Sequence, residues 1–190
     1  MVNNMTNHSA GDVIEYLPMK KYLIALLAAM LVASVACIRA SDPSDSNLPN
    51  FARVAPGLYR GAAPTTEGLD KLKSMGVVTI IDLRISPKLV AKERTTVEQL
   101  GLRFTNLPMG SEPPTAKQVS TFLNAAINAA SEPVFVHCQH GADRTGCMFG
   151  IYRVTHDRWP YDRAYAEMRH YGFKPWYTKL SDAVRQRSGR

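Results

Sequence analysis

The segment over residues 137–146 combines side chains that could transfer a phosphoryl group to sulfur. Cys138 and Arg144 are separated by five residues, in the order His-Cys-Gln-His-Gly-Ala-Asp-Arg-Thr-Gly. A cysteine thiolate is a nucleophile, and its pKa falls from about 8.5 toward roughly 3.5–7.5 beside a helix N-terminus or a cation. The planar fork of Arg144 can bind two phosphate oxygens at once. The pair therefore predicts attack of Cys138 on phosphorus, followed by release of phosphate from sulfur by water.

The residues between this pair suit a loop that surrounds one anion. Gly141 allows a backbone conformation that a Cβ would resist. His137 and His140 flank Cys138 with a spacing that suits the loop rather than a zinc site. Because backbone donors neutralise the transferring group, we expect neither a metal nor any other cofactor. The backbone N–H groups that can enclose a phosphate belong to Gln139, His140, Gly141, Ala142, Asp143 and Arg144.

The elements around this segment predict where it lies in the fold. Residues 133–137 form an apolar, buried strand, and a helical pattern begins at 145. The other predicted strands cover residues 57–60, 77–81 and 102–107, and the other predicted helices cover 65–75, 92–100, 115–130, 161–169 and 176–187. This alternation predicts an α/β fold with a central, mostly parallel sheet flanked by helices. The phosphate-binding loop would lie between a central strand and a helix, at the carboxyl end of the sheet where such folds bind ligands.

The first 40 residues predict an N-terminal extension and a signal peptide. Residues 1–18 are polar, and Met19 with two following lysines precedes an apolar run over 23–36 that ends in small residues. Such a pattern is typical of a secretory signal peptide, with a short membrane anchor or a core helix as the alternative. We therefore predict a true start at Met19 and export to the periplasm or the medium. Cys37 follows a Val-Ala pair as in bacterial lipoproteins, so it could carry a lipid anchor; ordinary cleavage is the other interpretation.

One domain accounts for the rest of the chain. A polar linker with two prolines is predicted over 41–50, and the domain over 51–190. An apolar content of 45% and a charged content of 21% are globular values. The net charge of +7 is compatible with phosphorylated substrates. We expect no nucleic acid partner and a monomer, and we interpret Cys147 as a small core residue.

The loop resembles the signature of the protein tyrosine and dual-specificity phosphatase superfamily, His-Cys-x5-Arg followed by Ser or Thr. The similarity extends from Phe51 to about Leu180 and includes the segments 55–61 and 81–84, which resemble small bacterial dual-specificity-like members. The resemblance implies a cysteine-dependent phosphatase domain in which Cys138 is the nucleophile and Arg144 clamps the phosphate. It also implies that the hydroxyl of Thr145 assists breakdown of the phosphocysteine.

The general acid departs from the family pattern. A leaving alkoxide or phenoxide needs a proton, which contributes about 10²–10⁴-fold to the rate. The family usually supplies an Asp from a loop before the signature, but no Asp lies between Asp82 and Asp143. Glu112 occupies the corresponding loop. Asp143 gives the spelling Cys-x2-Gly-x-Asp-Arg-Thr, which resembles phosphoinositide phosphatases of the myotubularin and Sac types and some bacterial secreted tyrosine phosphatases. The resemblance implies that this Asp is the acid or water activator, so we favour Asp143 over Glu112; a structural role as acceptor for backbone N–H groups is the alternative for Asp143.

The sequence leaves the identity of the substrate open. A phosphorylated protein is the leading prediction, a phosphoinositide or inositol phosphate is the second, and a non-catalytic module that only binds phosphorylated ligands is the third. Lys88, Lys92 and Arg94 could attract a substrate with several phosphates, although a solvated helix face also explains them. Asp82 and Arg84 follow a buried strand, and we expect them to fix neighbouring loops through a salt bridge.

Overall fold

The structure, a computed structural model, describes residues 45–189. The predicted start at Met19, the signal peptide and the predicted lipid attachment at Cys37 lie outside the described residues. Within 45–189, no helix is both long and apolar enough to cross a membrane.

A five-stranded sheet forms the centre of the domain, in the order β1-β2-β5-β3-β4. Strand β1 is antiparallel to β2, and all other neighbours are parallel, which confirms the predicted mostly parallel α/β sheet. The edge strand β1 was not predicted, because its four residues are only partly buried and carry no apolar run. The strands are β1 (Ala52–Ala55), β2 (Leu58–Gly61), β3 (Thr79–Asp82), β4 (Arg103–Asn106) and β5 (Val134–His137).

Six helices among the described residues cover the sheet. The side chain of Thr65 caps the first helix by accepting from the Gly68 N–H, and Thr115 forms a capping box with Gln118. The second helix begins at Pro87, not at 92 as predicted, because proline suits the first helical position. The helices are α1 (Thr66–Ser74), α2 (Pro87–Gln99), α3 (Ala116–Ile127), α4 (Asp143–Thr155), α5 (Tyr161–His170) and α6 (Thr178–Arg185).

Strand β5 is buried on both faces and divides the core in two. Val134 and Val136 belong to the larger apolar cluster, which includes residues of α3, α4, α5 and α6. Phe135 points to the other face, where it joins a smaller cluster with residues of α1 and α2. All four residues of β5 are buried, as expected for a parallel strand covered by helices on both sides.

Residues 45–50, the described part of the predicted linker, pack against the domain. Leu48 is buried in the same cluster as Phe135. The backbone N–H of Thr65 donates to the Asn47 carbonyl at 3.1 Å, and that of Ala62 donates to the Pro49 carbonyl at 2.8 Å. A buried leucine and these bonds attach the segment to the domain between β2 and α1, although its polar composition resembles that of a linker.

The strand register fixes what surrounds the end of β5. His137, the last residue of β5, is level with Gly61 of β2 on one side and with Asp82 of β3 on the other. The segment that follows His137 therefore begins between the carboxyl ends of β2 and β3.

Candidate active site

The segment between β5 and α4 forms a tight loop against the end of β2. Cys138 comes directly after β5 and is 2% exposed. Gly141 has a φ of 69°, and a Cβ there would lie 2.5 Å from the backbone carbon of Gly61. Only glycine therefore allows the loop to contact the strand backbone in this conformation.

Four successive carbonyls of the loop are held by donors that lie outside it. Because a trans peptide is planar, an N–H points away from the carbonyl of the same peptide. Fixing these carbonyls outward therefore directs the N–H groups of residues 139–142 toward the interior of the loop. The acceptor–donor pairs are Cys138 O with His137 Nδ1 (3.2 Å), Gln139 O with Ala63 N (3.4 Å), His140 O with Asn50 Nδ2 (3.1 Å) and Gly141 O with Arg60 Nη2 (2.9 Å).

The environment of Cys138 favours its thiolate. Burial by itself would raise the pKa of the thiol. The hydroxyl and backbone N–H of Thr145, the charge of Arg144 and the N–H of His140 act in the opposite direction and hold the pKa below its ordinary value. A lowered pKa in a buried site is the property that a nucleophilic cysteine needs near neutral pH.

Arg144 and Thr145 lie in the first turn of α4. The Nη1 of Arg144 is 3.5 Å from the Met109 carbonyl, and no carboxylate of the described chain pairs with this guanidinium. Its fork can therefore bind an oxyanion. Thr145 is buried, and no other described protein group pairs with its Oγ1, so this hydroxyl is free to donate to the sulfur of Cys138.

A buried ionic network supports the loop from the β3 side. Arg84 binds Asp82 at 2.9 Å and Glu93 at 2.7 Å, and Glu93 Oε1 lies 2.8 Å from His137 Nε2. Burial by itself would lower the pKa of His137, but the hydrogen bond and charge of Glu93, with the charge of Asp82, raise it. The predicted salt bridge of Asp82 with Arg84 is confirmed.

The same network brings together three residues of types that bind metals. Ligand atoms of Asp82, Glu93 and His137 lie within 4.8 Å of one another. Arg84 already donates to both carboxylates, and His137 Nε2 takes the remaining oxygen of Glu93. These bonds satisfy the charges within the protein, so the donor set fits an ion-pair network better than a metal site.

The two candidate acids differ in position. Asp143 begins α4, borders the cavity described below, and accepts from the Lys174 N–H through Oδ1 at 2.9 Å. Glu112 is exposed and pairs with Lys179 at 2.6 Å, and it does not line that cavity. The structure thus brings Asp143, but not Glu112, to the loop of Cys138.

A cavity of about 390 Å³ opens above the loop. Of the loop and the start of α4, Gln139, His140, Asp143 and Arg144 line it. Lys88 and Arg94 do not border it, and Lys92 borders a neighbouring cavity instead. The other lining residues that matter for its chemistry are the apolar Ile85, Leu89 and Met109 and the cationic Lys174.

Two residues near the loop were missed by sequence reasoning, Glu93 and Arg60. Glu93 falls within the helix predicted over 92–100, where nothing in the local sequence indicates a role, yet it is 8% exposed and binds both Arg84 and His137. Arg60 was interpreted only as part of a strand, yet it is fully buried and binds the Gly141 carbonyl. An arginine at the end of a buried strand is the one local signal that could have identified the latter.

Comparison with known proteins agrees with this geometry. The curated dual specificity protein phosphatase TpbA of Pseudomonas aeruginosa is 31% identical over 141 residues, which cover 74% of this chain and 61% of TpbA. Inositol diphosphatase DSP3 of Arabidopsis thaliana is 29% identical over 113 residues, which cover 55% of this chain and 53% of DSP3. The chain therefore spans less than two thirds of the length of these curated relatives.

A solved structure and a family model match more of the chain. The crystal structure of a cysteine-to-serine variant of P. aeruginosa TpbA in complex with pTyr is 25% identical, with a TM-score of 0.60, over 79% of this chain and 94% of that chain. The family model described as DSP-PTPase phosphatase fused to NAD+ kinase matches residues 28–186. The chain belongs to this family of dual-specificity-type protein tyrosine phosphatase domains.

Proposed function

We propose that the protein hydrolyses phosphate monoesters through a phosphocysteine at Cys138. The observation that carries this proposal is a buried thiol of lowered pKa at the centre of a loop whose N–H groups point inward. The four inward N–H groups of residues 139–142, with the Arg144 fork, replace the hydration of a phosphoryl group and stabilise the charge of its transition state.

The reaction then takes two steps. The Cys138 thiolate attacks phosphorus while the ester oxygen leaves with a proton, and the phosphoryl group becomes bound to sulfur. Water next attacks phosphorus, the sulfur departs as thiolate, and inorganic phosphate leaves. Thr145 assists this second step by donating its hydroxyl to the departing sulfur, which keeps the thiolate stable without a proton.

Turnover of p-nitrophenyl phosphate by the full chain tests the proposal. We expect vanadate-sensitive hydrolysis that Cys138→Ser abolishes. Cys147→Ser is the matched control, because Cys147 is buried and its thiol donates to the Leu180 carbonyl at 3.4 Å, a bond that a hydroxyl can replace. Cleavage that survives in Cys138→Ser would reject the mechanism, and phosphate binding without turnover would favour a non-catalytic module.

Asp143 is the proposed acid for the first step. Its carboxylate borders the cavity beside Arg144, whereas Glu112 pairs with Lys179 outside it. Asp143→Asn should slow a substrate with a poor leaving group by about 10²–10⁴-fold and p-nitrophenyl phosphate much less. Glu112→Gln is the control and should change neither rate. Equal losses on both substrates in Asp143→Asn would reject Asp143 as the acid.

Phosphotyrosine is the proposed substrate group. Ile85 and Leu89 are 60% and 42% exposed at the cavity wall, and such apolar surface suits an aromatic ring above the loop. The solved complex of TpbA with pTyr supports this choice. We expect Ile85→Ser to raise KM for a phosphotyrosine peptide several-fold and to leave the KM of a small alkyl phosphate unchanged.

An inositol phosphate carrying a diphosphate is the second candidate. It is favoured by the identity to DSP3 and by Lys174, a cation at the cavity whose ammonium has no carboxylate partner in the described chain. A panel that compares a phosphotyrosine peptide with a diphosphoinositol polyphosphate decides between the two. Lys174→Gln should weaken only the inositol substrate if the second candidate is right.

We also propose export of the protein, on the strength of the segment over residues 19–37. Fractionation of cells that express the full chain tests this, with Cys37→Ser as the variant that cannot be lipidated. Recovery of uncleaved chain in the cytoplasm would contradict export.

A further inference from the structure

Arg60 is a charged side chain placed entirely within the core. It lies in β2 with no exposed surface. Its guanidinium is 3.9 Å from the ring centre of Tyr171 and 5.2 Å from that of Phe149, and its Nη2 donates to the Gly141 carbonyl at 2.9 Å. Burying a charge is unfavourable unless something nearby compensates for it.

The usual compensation, a carboxylate, is missing. No ion pair within residues 45–189 involves Arg60. Glu167, an acidic residue that faces it, is bound by Arg153 at 3.0 Å. The Nε and Nη1 of Arg60 have no hydrogen-bond partner among the described protein groups.

The titratable groups around Arg60 identify the compensating charge. They are Tyr171, Glu167, Cys138 and Arg153. Burial lowers the pKa of Arg60 to about 10, so the guanidinium is still charged at neutral pH. Glu167 is paired to Arg153 and Tyr171 presents its ring face to the guanidinium, so among these groups the Cys138 thiolate, which Arg144 also stabilises, is the remaining anion that can balance Arg60.

The position of Arg60 also bears on the shape of the loop. Gly141 rests on the backbone of Gly61, the residue after Arg60. Fixing the Gly141 carbonyl outward directs the following N–H, that of Ala142, into the loop. One side chain therefore acts on both the conformation and the charge of the anion site.

We propose that Arg60 is a positioning residue of the phosphate-binding loop, whose guanidinium holds the Gly141 carbonyl and supplies a buried positive charge that stabilises the Cys138 thiolate. This inference rests on the proposed function, in which that thiolate is the nucleophile. Arg60 acts through the loop and through the thiol, and it does not contact the substrate.

The test measures the thiolate without using turnover. The rate at which iodoacetamide alkylates Cys138 is followed against pH in the full chain, with the modified peptide identified by mass spectrometry. Arg60→Gln removes the charge, and its side chain ends at the position of the arginine Nε, short of the Gly141 carbonyl. We expect the alkylation pKa to rise by about one unit. Arg60→Lys keeps the charge and should leave that pKa near its parent value.

Arg53→Gln is the matched control, since Arg53 is an exposed arginine on the neighbouring strand β1. It should not change the alkylation pKa. A folded Arg60→Gln protein with the parent pKa would overturn the proposal, as would an equal shift in Arg53→Gln. If Arg60→Gln does not fold, a raised pKa in folded Arg60→Lys overturns it.

Turnover supplies a second readout that separates this inference from the proposed function. For p-nitrophenyl phosphate, the loss of kcat/KM in Arg60→Gln should be about tenfold greater below the pKa of the thiol than above it, because the thiolate fraction falls only in the lower range. An equal loss of kcat/KM at every pH would indicate that Arg60 has a structural role alone. An inactive parent protein whose alkylation pKa still depends on Arg60 would reject the proposed function and leave this inference standing.

Discussion

Two arginines approach the end of β5 from opposite sides, and their surroundings differ sharply. On the β3 side, Arg84 is bound by Asp82 and Glu93, and the network continues to His137. On the β2 side, Arg60 has no exposed surface, against 7% for Arg84, and has no carboxylate partner in the described chain. A paired buried charge contributes structure because its field is cancelled locally, whereas an unpaired one remains available to a nearby anion. The difference predicts that damage to the β3 side lowers stability and that damage to the cations without partners lowers activity.

The largest expected effect on activity comes from Arg144. Like Arg60, it is a cation at the loop that has no carboxylate partner in the described chain. Arg144→Lys keeps the charge but loses the two-pronged fork, so we expect kcat/KM to fall about 10²–10³-fold. The melting temperature should stay close to that of the parent, since this half-buried side chain makes one long hydrogen bond. A large loss of stability with normal turnover in the folded fraction would contradict the comparison.

A substitution of Glu93 tests the ion-paired network on the β3 side. Glu93→Gln removes the charge that joins Arg84 to His137, and breaking such a buried pair should lower the free energy of unfolding by about 3–5 kcal/mol. Urea denaturation measures it. Glu98→Gln on the same helix is the control, because Glu98 is exposed and lies 3.8 Å from Arg94. This substitution should lower the free energy of unfolding by only about 0–1 kcal/mol. Equal effects of the two substitutions would argue against a supporting network.

The network also predicts a pH dependence of stability. The folded pKa of His137 is raised, so the protonated imidazole stabilises the fold. This contribution is complete below the unfolded pKa of about 6.5 and is lost as pH rises through the folded value. The free energy of unfolding should therefore fall over this window, and Glu93→Gln should flatten the slope. A parent protein whose stability rises across the window would contradict the assignment.

The smallest expected effect comes from Asn50, which separates the hydrogen bonding of the loop from its charge on the β2 side. Its side chain donates to the carbonyls of His140 at 3.1 Å and Tyr171 at 3.0 Å, and its φ is 53°. Asn50→Gly tolerates that φ, so it isolates the loss of hydrogen bonding, which should lower stability by about 1 kcal/mol. Because no charge is removed, the alkylation pKa of Cys138 should be unchanged. A shift as large as that expected for Arg60→Gln would mean that loop shape, not charge, sets that pKa.

The central strand and the loop could be predicted from the sequence because their signals are local. The apolar run of β5, the glycine at 141 and the spacing from Cys138 to Arg144 are each contained within a few residues. The same holds for the choice of an α/β fold, which needs only the alternation of strands and helices.

The supporting side chains could not be predicted, because their partners are distant along the chain. Glu93 and His137 are 44 residues apart, and Arg60 is 81 residues from Gly141. A polar segment with two prolines also gives no local sign that Leu48 will be buried or that Asn50 will bind the loop. Such contacts follow from the strand order, which places β2 and β3 on either side of β5.

Trapping the covalent intermediate tests the central claim most directly. The full chain is mixed with p-nitrophenyl phosphate, quenched in acid within the first turnover, digested and measured by mass spectrometry. We expect one added phosphoryl group on the peptide that holds Cys138, and none in Cys138→Ser. Phosphate on His137 or His140, or turnover with no phosphorylated cysteine at any quench time, would contradict the account.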